Sequence, residues 1–107
     1  MSGSFGEMGN LLKQAQKMQA AMDEAREELK TTTVEGSSGG GAVRVVVTGD
    51  GNVQEVALTD EALADNDKMM LEDLMLAALR DGLTKAATMR EERLAKVTGG
   101  LNMPGLF

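Results

Sequence analysis

Small or apolar residues stand at Met8, Leu11, Ala15, Met18, Met22, Ala25 and Leu29, separated by three and four residues in alternation. That spacing keeps them on one narrow stripe of an α-helix, the seam along which a helix packs against another. The spacing predicts a first helix over about Glu7 to Lys30. It is stopped by Thr31-Thr32-Thr33-Val34, whose β-branched side chains favour an extended chain. Residues 36–41, Gly-Ser-Ser-Gly-Gly-Gly, read as a flexible loop. Beyond them Val43, Val45 and Val47 alternate with Arg44, Val46 and Thr48, and Val53 to Leu58 forms a second β-rich run. Gly49-Asp50-Gly51-Asn52 between the two supplies the turn of a hairpin.

A polar link over residues 59–66 leads to a second helix over about Asp67 to Val97. Its apolar residues come in pairs about one turn apart (Met70 and Leu71, Leu74 and Met75, Ala78 and Leu79, Ala86 and Ala87), a stripe broad enough to cover a sheet. Gly82 is the place where this helix is expected to bend. At about 1.5 Å per residue the helices are roughly 35 Å and roughly 45 Å long, whereas a compact chain of this size is roughly 34 Å across. At least one helix therefore projects from the body. The pattern is that of an α+β fold with a small antiparallel sheet and two long helices. The whole chain, 1–107, reads as one domain, with residues 1–6 and 99–107 as flexible tails.

Composition narrows what such a fold does. A chain of 107 residues buries only roughly 60 to 65 per cent of its unfolded surface, so self-association is expected to complete its core. There is no cysteine and no histidine, which removes disulfide frameworks, thiolate metal sites, and the commonest general base and metal ligand. The Asp, Glu, Lys and Ser residues that remain assemble no nucleophile with a base, so no enzyme, cofactor, metal or small-molecule substrate is expected. No apolar run approaches about 18 residues and no signal-peptide pattern opens the chain, so the expectation is a cytoplasmic protein without a membrane partner.

The net charge is −6, but it is unevenly spread. Residues 1–20 carry Lys13 and Lys17 against Glu7, and residues 80–107 carry Arg80, Lys85, Arg90, Arg93 and Lys96 against Asp81, Glu91 and Glu92. Mildly basic ends flank a strongly acidic centre, an arrangement that meets a polyanion at its extremities. Lys13 and Lys17 lie one turn apart among the amides of Gln14, Gln16 and Gln19. On the second helix Lys85, Arg93 and Lys96 fall within about 80° of one another, with Arg90 further round. Glu92 stands four residues before Lys96, so part of this cluster reads as a salt-bridged face.

Other motifs have plainer readings. The glycine loop lacks a following Gly-Lys-Ser/Thr and enters a strand, which marks a connector and not a phosphate cradle. Asp50-Gly51-Asn52 lacks the further acidic ligands of a calcium loop. The acidic residues Asp60, Glu61, Asp65, Asp67, Glu72 and Asp73 gather where a helix start favours negative charge. Phe5 and Phe107 are the only aromatic residues, so single-strand bases have no stacking platform.

The segment Met8-Gly9-Asn10-Leu11-Leu12-Lys13-Gln14-Ala15-Gln16-Lys17-Met18-Gln19, then Leu71-Glu72-Asp73-Leu74 followed by Ala77-Ala78, and the tail Gly99-Gly100-Leu101-Asn102-Met103-Pro104-Gly105 resemble the YbaB/EbfC family of bacterial nucleoid-associated proteins, in order and over nearly the whole chain. The resemblance implies a homodimer of α-β-β-β-α subunits whose helices protrude like tweezers. It also implies duplex DNA binding with little sequence preference, nucleoid localisation, and a part in nucleoid organisation or gene regulation. The family's DNA contacts belong to its helices, which makes Lys13, Lys17, Lys85, Arg90, Arg93 and Lys96 the candidate DNA-binding residues. The alternative from the same features is a dimeric adaptor that grips another protein with its helical arms, the acidic body keeping DNA away.

Overall fold

The computed structural model describes residues 2–99. Helix α1 (Ser2–Thr31) leads into strands β1 (Thr33–Ser38), β2 (Val43–Thr48) and β3 (Val53–Leu58), a short helix α2 (Asp60–Ala64) and a long helix α3 (Lys68–Gly99). The strands form one antiparallel sheet in the order β1-β2-β3. The expected α+β architecture and its helix–sheet–helix order are therefore present.

α1 begins at Ser2, ahead of the expected start near Glu7. Weak helix formers at its front are carried by the turns behind them, because extending an existing helix is far easier than nucleating one. The tail beyond Gly99 lies outside the described residues. The expected polar link holds a turn of helix: Thr59 caps α2 by accepting the Ala62 N–H at 3.2 Å, and Asp67 accepts the Met70 N–H at 3.1 Å as α3 begins. These contacts answer the unpaired N–H groups of helix starts.

The core forms where α3 crosses β1 and β2. Val43, Val45 and Val47 are buried against Ala78 and Ala86, with Val34, Leu71, Leu74, Met75 and Leu79 packed round them. The expected valine alternation is thus realised, with one exception. Thr48, assigned to the outer face, is buried. At the end of β2 the Thr48 Oγ1 accepts the Asn52 N–H at 3.0 Å and closes the Gly49–Asn52 turn, while the register shift opposite Val46 and Val47 places the extra residue, Gln54, on β3.

The two glycine readings need correction. Gly36 is not in a loop but inside β1, paired with Val45, and Gly39–Gly41 alone form the turn. All three turn glycines take positive φ, which glycine adopts without penalty. Gly82 does not interrupt α3, which runs through it. It faces Gly36: a Cβ on Gly36 would lie 2.3 Å from the Gly82 nitrogen and 2.6 Å from the Ala78 carbonyl oxygen. The pair lets strand and helix backbones touch.

Both long helices outrun this core. The molecule measures 77 × 23 × 16 Å with a radius of gyration of 21.1 Å, well above the roughly 13 Å of a compact chain this size.

Candidate nucleic-acid interface

α1 and α3 run antiparallel, tied by the Arg93 Nε donating to Glu28 Oε2 at 2.8 Å. Only the second half of the α1 seam is covered: Ala25 and Leu29 are buried, whereas Met8 and Leu11 remain more than half exposed. From Gly6 to Lys17 every residue is exposed. The first half of α1 is thus an arm that leaves the body, with Lys13 and Lys17 one turn apart on its free surface.

The second-helix cations are not presented together. Lys85 is exposed but leans across to β1, donating to the Glu35 carbonyl at 3.2 Å and pairing with Asp81 at 3.0 Å. Arg93 is taken by Glu28, and Arg90 is half-buried with its Nη1 on the Gly49 carbonyl at 3.0 Å. Lys96 is exposed. The expected Glu92–Lys96 pair is not among the ion pairs of the described residues, which join Lys30 to Glu27, Arg44 to Glu35, Lys85 to Asp81 and Arg93 to Glu28. An exposed pair of this kind gains little over hydration.

These partners leave a mark on acidity. The Ser37 N–H and then Lys85 hold the Asp81 carboxyl below its ordinary 3.8, and Arg93 holds Glu28 below its ordinary 4.5. A carboxyl whose folded pKa is depressed contributes stability above its unfolded pKa, lost as pH falls through the folded value. We therefore expect the melting temperature to begin dropping only below about pH 4.5, and Asp81→Asn to blunt that drop in a pH series of thermal melts.

Two cations escaped the sequence reading. Arg26 and Lys30, four residues apart on α1, share a cleft with Arg90 of α3. Their spacing put them on one face, but nothing local brings Arg90 across from 60 residues away.

The YbaB/EbfC DNA-binding family model matches residues 5–101. A nucleoid-associated protein of Acetivibrio thermocellus is 49% identical over 106 residues, covering 98% of this chain and 94% of that protein. Another, of Ruminiclostridium cellulolyticum, is 42% identical over 106 residues, 98% of this chain and 92% of that one. Among solved structures, the uncharacterized protein HP0035 of Helicobacter pylori superposes with a TM-score of 0.72 at 27% identity, over 89% of this chain and 97% of that chain.

Proposed function

The chain belongs to the YbaB/EbfC DNA-binding family, and from that premise we propose that it binds duplex DNA as a homodimer with little sequence preference and acts in organising the nucleoid. The observation that carries the reading is the α1 arm: a helix clear of the acidic body, bearing Lys13 and Lys17 on an exposed face. Lysines on an exposed helix meet phosphates as point charges and read no base edge, which supports affinity without sequence choice. Keeping the cations away from the carboxylates of the body reduces repulsion of the polyanion over a Debye length of about 8 Å.

The dimer is supported by β3. All six of its residues are exposed, and Val53, Val56 and Leu58 lie on the same sheet face as the buried valines of β2. α3 covers β1 and β2 and stops short of this strip. An apolar edge strand left open in this way is a template for pairing with a second chain.

Lys13→Gln with Lys17→Gln is expected to weaken binding to all duplexes about equally while the dimer persists. Each lost phosphate contact flattens the slope of log K against log salt by about 0.9, so one arm loses roughly 1.8 and two symmetric arms up to twice that. The same exchange at Arg93 and Lys96 is expected to act more weakly, since Glu28 already holds Arg93. Affinity and slope unchanged in both folded double variants would move the assignment to a protein adaptor, which would grip through the exposed Met8, Leu11 and Leu12.

A further inference from the structure

At the root of the arm, α1, α3 and the β2–β3 turn enclose a cleft of about 400 Å³. Arg26 and Lys30 line it from α1, Arg90 from α3, and Asp50 and Gly51 from the turn. Leu29 and Leu94 supply its apolar lining.

The Arg90 guanidinium is anchored through Nη1 on the Gly49 carbonyl, which leaves its other N–H groups available to an acceptor. Gly51, at a φ of 93°, brings its backbone close, for a Cβ there would lie 3.8 Å from Arg90 Nη1. Asp50, the carboxylate of the cleft, is tied to its own turn: Oδ1 accepts the Thr48 hydroxyl, and Oδ2 the Asn52 amide at 3.4 Å. Lys30 is shared with Glu27 at 2.8 Å in a pair exposed on both sides, and such a pair exchanges readily for a better acceptor. Against three cations stand Asp50, Glu27 on Lys30 and the carbonyl end of α1, worth about half a charge.

We infer that this cleft is a second phosphate-binding site, with Arg90 as the fixed donor and Arg26 and Lys30 closing on the anion. At about 100° per residue, Arg26 and Lys30 lie about 140° round α1 from Lys13 and Lys17. The cleft therefore faces away from the duplex that the arm lysines hold. Its phosphate belongs to a free polyphosphate or nucleotide, or to a separate stretch of DNA.

Titration of the ¹⁵N-labelled full chain with sodium tripolyphosphate, followed at the Gly51 amide and the Arg90 Nε–H, tests the site. Both resonances are expected to shift saturably, and Arg26→Gln with Lys30→Gln to raise the Kd at least tenfold without loss of helix by circular dichroism. Arg90→Gln is expected to abolish the shifts. A parallel titration with a short duplex separates the sources. If it moves the same resonances, and the Arg26/Lys30 variant flattens the salt slope by about 0.9 per lost contact, the phosphate is DNA's. If tripolyphosphate moves them and the duplex does not, the ligand is a free anion. Resonances unmoved by both, or shifts that persist in the double variant, overturn the site. Neither of those results touches the arm, whose test is the separate exchange at Lys13 and Lys17.

Discussion

Val45→Asp is expected to abolish the folded subunit. Val45 is fully buried, paired with Gly36 on one side and Val56 on the other, and one of its methyls lies 2.8 Å from where a Gly82 Cβ would be. A carboxylate there would find no partner, at a penalty of several kcal/mol, and the apolar burial of the valine, about 1.5 to 3 kcal/mol, would be lost with it. Against a total stability of roughly 5 to 15 kcal/mol for a domain, that removes most or all of the folded population. Val56→Asp sits on the same face one strand over, where the side chain is 43% exposed. It is expected to leave the subunit folded and to shift sedimentation from dimer to monomer. Circular dichroism and analytical ultracentrifugation separate the two outcomes. A folded Val45→Asp, or a Val56→Asp that remains dimeric at micromolar concentration, would contradict this division of the sheet into subunit core and dimer face.

Gly36→Ala is the second large effect. The added methyl would meet the Gly82 nitrogen at 2.3 Å, the Gly82 Cα at 2.5 Å and the Ala78 carbonyl oxygen at 2.6 Å. All three are backbone atoms of a continuous helix, so no side chain can swing aside. Overpacking a core costs about 1 to 3 kcal/mol when neighbours can adjust, and here relief requires α3 to lift off β1. The expected loss is about 3 kcal/mol or more, a fall in melting temperature of about 12 °C at the low end of the usual 4 to 8 °C per kcal/mol. Gly82→Ala should lose less. Its methyl would press on the Val45 and Val47 methyls at 2.8 and 2.9 Å, side-chain atoms and not the backbone of a second element, and alanine regains about 1 kcal/mol of helix propensity. Equal melting temperatures for wild type and Gly36→Ala would remove the close backbone approach from the account.

The difference between these glycines and the valines around them shows what the chain states locally. The alternation of Val43, Val45 and Val47 is a period-two signal that any strand buried on one face carries, and it placed the core side chains correctly. Gly36 carried no such signal, because its meaning lies 46 residues away, and beside Ser37 and Gly39 it looks like linker. The helical seam was legible as a stripe but not in its division. Met8 and Ala25 follow the same spacing, yet one is exposed and the other buried, because what decides is where α3 ends. The partners of the α3 cations were hidden for a related reason. An angle round one helix cannot show that Glu28 takes Arg93 or that the Glu35 carbonyl and Asp81 take Lys85. Lys13 and Lys17 lie exposed on the arm and enter none of the ion pairs of the described residues. The root cleft needs three elements to meet, and none of them announces the others.

Above all, the proposed function rests on electrostatic binding of duplex DNA without sequence choice. It is tested by a titration of the wild-type protein with two duplexes of unrelated sequence across a series of salt concentrations. Similar affinities for the two are expected, with parallel straight lines of log K against log salt that fall by about 0.9 for each phosphate engaged. No binding at low salt, a flat line, or an affinity for one duplex that exceeds the other by orders of magnitude would contradict it.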